Sequence, residues 1–233
     1  VGLEHGGVAP VIVEADANIQ DLIPALTKGG FYHAGQVCVS VQRIYIHEDI
    51  CDDIAKKLAL SASKLIVGNP LDSKTEVGPL ITHKEVDRVE SWVKEAVDSG
   101  AKLLCGGKRI SDSCYEPTVL LNPSNDAKVS TLEIFAPVVC VYSYTNIDDA
   151  FKQANSLDVS FQASIFTKNI DTALLGVKSL NATAVMVNDH SAFRVDWMPF
   201  GGAKTSGLGL GGISYSMNEM SIEKLMVIKS SVL

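Results

Sequence analysis

The sequence predicts an α/β fold with a mostly parallel sheet flanked by helices. Strand-like and helix-like apolar patterns alternate along the chain, which is typical of this class. Clusters of Gly and Pro separate these patterns near 29–35, 68–79, 106–117 and 199–212. With 233 residues, 46% of them hydrophobic and 20% charged, the chain has enough apolar side chain for a sizeable core. We therefore expect one large domain or two small ones.

Each element follows from its local pattern. Short apolar or alternating runs predict strands at Pro10–Val13, Val41–Ile46, Lys102–Cys105, Pro137–Tyr144, Gln162–Phe166 and Ala182–Val187. Helical spacing of apolar residues predicts helices over about 18–29, 49–66, 82–98, 148–155 and 170–179. The apolar tail over about 221–229 predicts a terminal strand, which pairs either with another chain or with its own domain.

Charge and composition exclude several classes of function. The net charge is −7 and no basic stripe is present, so nucleic acid and anionic membranes are poor candidate partners. No apolar run approaches the ~20 residues that a membrane span requires, and no secretory signal is visible. The chain starts with Val1 rather than Met, which indicates a piece of a longer chain.

The cysteines and histidines indicate free thiols and no metal. The five cysteines are odd in number and form no CxxC pair, which favours a reducing compartment and thus the cytoplasm. The five histidines are scattered without the spacing that places two ligands on one helix face, so no metal site is expected.

The segment 31–39 carries the most informative cysteine. Glycines 29 and 30 end a helix, and Cys38 follows in an irregular stretch just before the next strand. Backbone N–H groups at such a position lower the pKa of a thiol and can hold an oxyanion, so Cys38 is a candidate nucleophile. The alternative is a small buried residue without chemistry. His33 offers a Cys–His pair or is a loop histidine without a role.

Two glycine-containing segments provide further candidates. Glu4 precedes Gly6 and Gly7, which allow close backbone approach, and it could serve as a general base or be a solvated glutamate. The stretch 207–212 matches the spacing GxGxxG of dinucleotide-binding loops. Because Lys-Thr-Ser and not a strand precedes it, we reject it as a nucleotide-binding signature.

Together these segments resemble the NAD(P)-dependent aldehyde dehydrogenase superfamily. Leu3–Gly7 is similar to its LELGG box and Gly35–Cys38 to its GQxC box, 34 positions apart as in the family. Leu132–Pro137 resembles EEIFGP. Two further family segments correspond to Tyr115–Leu120 and Pro199–Lys204. The five segments follow in order from residue 1 towards the end of the chain.

The resemblance covers the C-terminal half of the family only. It implies an aldehyde dehydrogenase-like catalytic domain over 1–210 and a C-terminal segment over 211–233 with an oligomerisation strand. The family's nucleotide-binding domain, which precedes the glutamate box, is absent from this sequence. We therefore expect that the chain by itself lacks dehydrogenase activity, and that it forms a homo-oligomer through the C-terminal strand.

The resemblance also implies roles for individual residues. Cys38 corresponds to the nucleophile and Glu4 to the general base. Glu133 and Phe135 correspond to the residues that contact the ribose and the ring of the nicotinamide cofactor, NAD or NADP. No metal is required for this chemistry. In the implied reaction Cys38 adds to an aldehyde, hydride passes to the cofactor, and Glu4 activates the water that releases the acid.

Several positions depart from the family pattern. His5 replaces Leu, Leu132 replaces the first Glu of EEIFGP, and Ala136 replaces its Gly. Gly209-Leu-Gly211 stands where the family often has Gly-Arg-Glu, so a proposed proton-relay glutamate is missing. We expect the added methyl group of Ala136 to lie close to the cofactor.

The loop 188–197 corresponds to the family segment that lines the substrate entrance. Arg194 in this loop could bind a carboxylate or phosphate of a small aldehyde, or pair with Asp189 or Asp196 as a structural charge. Two aromatic residues of the same loop form either an apolar wall or core: Phe193 and Trp197.

Three hypotheses of function remain. The first is the catalytic domain of an aldehyde dehydrogenase. The second is a truncated fragment without catalysis that folds and self-associates. The third is a thiol esterase that acts on activated esters without a nucleotide. An acyl-transfer burst that depends on Cys38 distinguishes the second from the other two.

Overall fold

The computed structural model describes residues 2–232. Its strands, in chain order, are β1 (Leu3–Glu4), β2 (Ala9–Val13), β3 (Val41–His47), β4 (Lys102–Cys105), β5 (Thr118–Leu121), β6 (Val138–Tyr144), β7 (Val159–Ser160), β8 (Gln162–Phe166), β9 (Ala184–Val187), β10 (Ala203–Lys204) and β11 (Gly207–Leu208). Its α-helices are α1 (Ile19–Phe31), α2 (Glu48–Ala62), α3 (His83–Asp98), α4 (Lys128–Thr131), α5 (Ile147–Ala154), α6 (Ile170–Ser179) and α7 (Ile213–Glu219).

A seven-stranded sheet forms the centre of the fold, in the order β4-β5-β6-β3-β2-β8-β9. Every neighbouring pair is parallel except β4 and β5, which are antiparallel. Helices cover the sheet and bury its strands, which explains why the central strands read as apolar runs. The predicted α/β class with a mostly parallel sheet is confirmed.

Asparagine side chains cap three of the helices at their first turn. The side chains of Asn18, Asn146 and Asn169 accept hydrogen bonds from the first turns of α1, α5 and α6. Such caps satisfy backbone N–H groups that have no partner inside the helix. None of the helices within residues 2–232 is long and apolar enough to cross a membrane.

The topology brings the candidate residues together at one edge of the sheet. Glu4 lies before β2, Cys38 before β3, Glu133 and Phe135 before β6, and Phe161 before β8. Because β2, β3, β6 and β8 are parallel, the segments that precede them meet at the amino ends of these strands. The candidate site therefore lies at this edge.

The strand predicted over about 221–229 does not form within residues 2–232, and its pairing with another chain stays a prediction. Residues 220–232 contain neither helix nor strand, and their side chains are exposed. A strand requires a neighbour for its backbone hydrogen bonds, and this segment pairs with no strand among residues 2–232. The helix that precedes it, α7, was not predicted because its exposed surface carries no apolar periodicity.

The glycine-rich loop 199–212 is structural. Its strands β10 and β11 pair antiparallel with β7 and β1, respectively. A side chain at Gly207 would lie 2.5 Å from the Leu3 carbonyl oxygen, and one at Gly202 would lie 2.3 Å from that of Ser206. The glycines of this loop therefore allow close backbone packing.

Candidate active site

Cys38 and Glu4 form the centre of the candidate site. The Cys38 Sγ lies 3.7 Å from Glu4 Oε1, with the thiol as donor and the carboxylate as acceptor. Glu4 is held by β1, where it is opposite Gly207 of β11. A side chain at Gly7 would lie 3.1 Å from the Cys38 carbonyl oxygen, so glycine there allows the two segments to approach.

An unusual turn places Cys38. His33, Ala34 and Gly35 have φ values of 51°, 55° and 69°, three consecutive residues in the left-handed region. Only glycine adopts this conformation without strain. A side chain at Gly35 would also lie 2.1 Å from the Ala136 carbonyl oxygen. Glycine therefore allows the backbone of the turn before Cys38 to pack directly against the backbone of the segment before β6.

The surroundings of Cys38 favour the protonated thiol. Burial and the Glu4 carboxylate raise the pKa of Cys38 to about 11, and the Glu133 charge adds to this effect. The backbone N–H of Cys38 itself acts in the opposite direction. His33 is exposed and packs against the Tyr32 ring, with 4.8 Å between ring centroids. The partner of the thiol is thus Glu4, not His33.

Glu133 lies against the glycines of the segment 4–7. Its Oε1 accepts a hydrogen bond of 3.2 Å from the Gly7 backbone N–H, and a side chain at Gly6 would collide with its carboxylate. Burial raises the pKa of Glu133, while the Gly7 N–H and the Arg88 charge lower it. Glu133 is therefore a half-buried carboxylate beside the thiol.

Phe135 lies next to Glu133 with its ring accessible. Its φ is 50°, and its side chain is 38% exposed although it is apolar. An exposed aromatic ring beside a half-buried carboxylate suits the ring and hydroxyl groups of a nicotinamide riboside. Ala136 is buried, yet it lines a small cavity together with Glu133 and Phe135, and the closeness of its methyl group to the cofactor stays a prediction.

An apolar cluster forms the wall on the other side of Cys38. It consists of Val39, Phe161, Ala192 and Phe200, with Tyr32, Val37 and Cys38 packed against it. The Arg194 guanidinium carbon lies 4.1 Å from the Phe200 ring centroid. Within residues 2–232 Arg194 makes no ion pair with Asp189 or Asp196, which leaves its charge open to a ligand.

The other two predicted substrate residues lie further out. Phe193 is 41% and Trp197 76% exposed, and neither belongs to the cluster beside Cys38. Neither is core, and both belong to the exposed rim of the loop 188–197. The structure thus places Arg194 over Phe200, a member of the cluster against which Cys38 packs, and it leaves Phe193 and Trp197 at the surface.

Sequence reasoning missed several residues of the site. Tyr32 packs against the cluster, and burial together with the Cys38 charge raises its pKa. His190 is buried, which lowers its pKa, and its ring centroid lies 6.4 Å from that of Tyr32. The contact between Tyr32 and His190 depends on how distant loops fold together. The one signal in the sequence was that Tyr32, an aromatic residue, lies close to the glycine pair at 29–30.

No metal site is evident in the part of the chain that the structure describes. Residues 2–232 contain no group of three or more His, Cys, Asp or Glu side chains placed to hold an ion. All five cysteines are free thiols.

The fold and the site define an α/β protein with a cysteine–carboxylate centre at the amino edge of a parallel sheet. The chain belongs to the Aldehyde dehydrogenase family, which it matches over residues 1–226. The chain spans about half the length of the curated relatives it matches.

Two curated relatives illustrate the similarity. A 3-sulfolactaldehyde dehydrogenase of Priestia megaterium is 42% identical over 228 residues, which cover 98% of this chain and 48% of the relative. A lactaldehyde dehydrogenase of Methanocaldococcus jannaschii is 43% identical over 228 residues, which cover 98% of this chain and 49% of the relative.

Solved structures have the same fold. The NADP complex of glyceraldehyde-3-phosphate dehydrogenase from Methanocaldococcus jannaschii superposes with a TM-score of 0.91 at 43% identity, covering 94% of this chain and 47% of that one. Aldehyde dehydrogenase 21 of Physcomitrella patens, in complex with the reaction product succinate, superposes with a TM-score of 0.90 at 39% identity. The superposition covers 93% of this chain and 45% of that one.

Proposed function

We propose that this chain is the catalytic part of an enzyme that oxidises a small aldehyde to a carboxylic acid through a covalent adduct on Cys38. The observation that carries the proposal is the Cys38 thiol, which donates to the Glu4 carboxylate at 3.7 Å. A thiol paired with a base in a half-buried site is the arrangement that nucleophilic catalysis requires.

Each residue of the pair has one task. The Cys38 sulfur attacks the aldehyde carbon after its proton leaves to Glu4, which forms a thiohemiacetal with a negatively charged oxygen. The Cys38 backbone N–H, which favours the thiolate, would donate a hydrogen bond to this oxygen as well. Once the thioester has formed, Glu4 releases the first proton to solvent. It then takes a proton from a water molecule, the water oxygen attacks the thioester carbon, and the Cys38 sulfur leaves and regains a proton from Glu4, which releases the acid and the thiol.

Glu133 and Phe135 would hold the nicotinamide end of NAD or NADP. The exposed Phe135 ring would contact the nicotinamide, and the Glu133 carboxylate would accept hydrogen bonds from the ribose hydroxyl groups. The cofactor supplies the hydride acceptor when bound. The NADP in the related Methanocaldococcus structure supports this cofactor class.

The proposed substrate is a small aldehyde with an anionic or hydroxylated tail. Arg194 carries the argument, because its guanidinium lies on the apolar wall beside Cys38 and has no carboxylate partner among residues 2–232. Relatives named for sulfolactaldehyde, lactaldehyde and aspartate semialdehyde support this class. A guanidinium binds carboxylate, sulfonate or phosphate groups through paired hydrogen bonds.

The experiment that tests the thiol chemistry uses p-nitrophenyl acetate and needs no nucleotide. We expect a burst of p-nitrophenol equal to one equivalent of protein, with the acetyl group on Cys38 by mass spectrometry. Cys38→Ala abolishes the burst, whereas Cys51→Ala, which removes a buried thiol of α2, serves as the matched control. A full burst in Cys38→Ala contradicts the proposal.

We also propose that the chain self-associates through its C-terminal segment. The tail exposes Ile222, Leu225 and Val227, and helix α6 exposes further apolar side chains. Exposed apolar patches of this kind mark protein–protein contacts in soluble proteins.

A further inference from the structure

Gln42 lies at an irregularity in the strand that follows the catalytic cysteine. Ala9 of β2 pairs with Val41 of β3, but the next residue, Pro10, pairs with Arg43, so Gln42 has no partner in the register. Such a bulge turns a side chain away from its regular direction. Gln42 nevertheless is only 5% exposed, so its amide group is directed into the protein.

The Gln42 amide binds the backbone on both sides of Glu133. Its Nε2 donates to the carbonyl oxygens of Val129 at 3.0 Å and Leu132 at 2.8 Å. Its Oε1 accepts from the Ile134 N–H at 3.0 Å. One buried side chain therefore fixes the residue before Glu133 and the residue after it.

A second side chain holds the same segment from the opposite side. Arg88 of α3 donates to the Ile134 carbonyl oxygen at 2.6 Å, and its guanidinium carbon lies 4.4 Å from the Trp92 ring centroid. Ile134 is thus bound at its N–H by Gln42 and at its C=O by Arg88. Leu132 and Ile134 are thus held on both sides of Glu133, and the Glu133 carboxylate accepts a hydrogen bond from the Gly7 N–H.

We propose that Gln42 is a positioning residue that holds Glu133 against Gly7 and beside Cys38. The inference rests on the proposed function only in so far as Glu133 faces the cofactor. Gln42 can act on Cys38 through Glu133 whether or not the protein oxidises an aldehyde.

The charged and titratable groups around Cys38 make this effect measurable. Glu4 faces the thiol from β1, Glu133 from the segment before β6, and Tyr32 from the turn that precedes Cys38. The Glu133 charge disfavours the thiolate. If Glu133 moves away, the thiolate fraction of Cys38 at a given pH below its pKa increases.

The test is a double-mutant cycle with Gln42→Met and Glu133→Gln, read out by the rate at which iodoacetamide alkylates Cys38 between pH 7 and 10. Gln42→Met keeps the length of the side chain and removes its three hydrogen bonds. We expect each single variant to raise the rate at pH 8 by about two- to ten-fold, as for the loss of one partly screened charge. The double variant should equal Glu133→Gln alone.

Three outcomes would overturn the proposal. In the first, Gln42→Met leaves the alkylation rate unchanged while Glu133→Gln raises it. In the second, Gln42→Met changes the rate by the same factor whether residue 133 is Glu or Gln, and in the third, Glu133→Gln itself has no effect on the rate. The matched control is Gln20→Met on the exposed surface of α1, which should leave the pH profile unchanged.

A second variant keeps the test decisive if Gln42→Met fails to fold. Gln42→Asn retains the amide but is shorter by one methylene, so it cannot reach both Leu132 and Ile134 without strain, and it enters the same cycle. Alkylation depends only on a folded chain with an accessible Cys38. A protein that lacks dehydrogenase activity therefore still gives a clear result for Gln42.

Discussion

Glu4 accepts a hydrogen bond from the Cys38 thiol over 3.7 Å, although 34 positions separate the two residues in the sequence. The contact exists because their segments precede the neighbouring parallel strands β2 and β3 and so meet at the same edge of the sheet. The pairing of β1 with β11 then fixes Glu4 in place. The contact between Cys38 and Glu4 is therefore a consequence of sheet topology.

The first prediction concerns the pH dependence of the thiol. Burial and the Glu4 charge raise the pKa of Cys38 to about 11, so alkylation by iodoacetamide should accelerate with pH well above neutrality. Glu4→Gln removes a negative charge that disfavours the thiolate. The midpoint of its pH–rate profile should therefore lie below that of the unchanged protein.

Glu14→Gln is the control for this measurement, because the Glu14 carboxylate contacts Tyr144 and not Cys38. A Glu4→Gln profile shifted to higher pH would show that the Glu4 carboxylate does not act on the thiol as proposed.

The second prediction concerns the turn before Cys38. Gly35→Ala introduces a side chain at φ +69° and 2.1 Å from the Ala136 carbonyl oxygen, a backbone atom that cannot move aside. We expect the free energy of unfolding in urea to fall by at least about 2 kcal/mol. Gly78→Ala, where the new side chain meets nothing within 4 Å, should change it by less than about 0.5 kcal/mol. Equal losses in both variants would exclude this account of Gly35.

The third prediction concerns Arg194 and ligand charge. Arg194→Gln should slow the acylation of Cys38 by p-nitrophenyl hemisuccinate, whose tail is a carboxylate, by about ten-fold. Acylation by the neutral p-nitrophenyl acetate should change little, because that ester offers nothing for the guanidinium to bind. Arg109→Gln, which alters an arginine paired with Asp87 and Glu90 on the surface, is the control. An equal effect on both esters would assign Arg194 a structural role.

The fourth prediction concerns self-association. Leu225→Lys places a charge in the exposed apolar tail and should shift the molar mass from light scattering towards that of the monomer. Ser230→Lys adds the same charge to a polar position of the tail and should not. A monomer at every concentration for the unchanged chain would contradict the proposed association.

The sequence predicted the elements whose periodicity is strong. The helix over 170–179 and the strand over 162–166 coincide with α6 and β8, and the helix over 82–98 differs from α3 by one residue. The spacing of apolar residues is enough to predict these elements, because each of them buries one face or is buried as a whole. Strand β5, all four residues of which are buried, gave no alternating pattern and was not predicted.

The site was predicted in part, and for a different reason. Cys38 and Glu4 came from short motifs that keep their glycines, and the structure brings them into contact. Gln42 contacts Leu132, which is 90 positions away in the sequence. Tyr32 packs against the same apolar cluster as Cys38, and no local pattern contains either contact. The strand predicted over 221–229 does not form within residues 2–232, because apolar composition does not specify a pairing partner.

The most direct test of the Cys38–Glu4 pair is the fate of the acylated cysteine in Glu4→Gln. After reaction with p-nitrophenyl acetate, Glu4→Gln should still carry the acetyl group on Cys38. Its hydrolysis, followed by mass spectrometry, should be about 100-fold slower than in the unchanged chain, because the base that activates water is missing. Hydrolysis at the unchanged rate in Glu4→Gln would contradict the assignment of Glu4 as general base and with it the proposed mechanism.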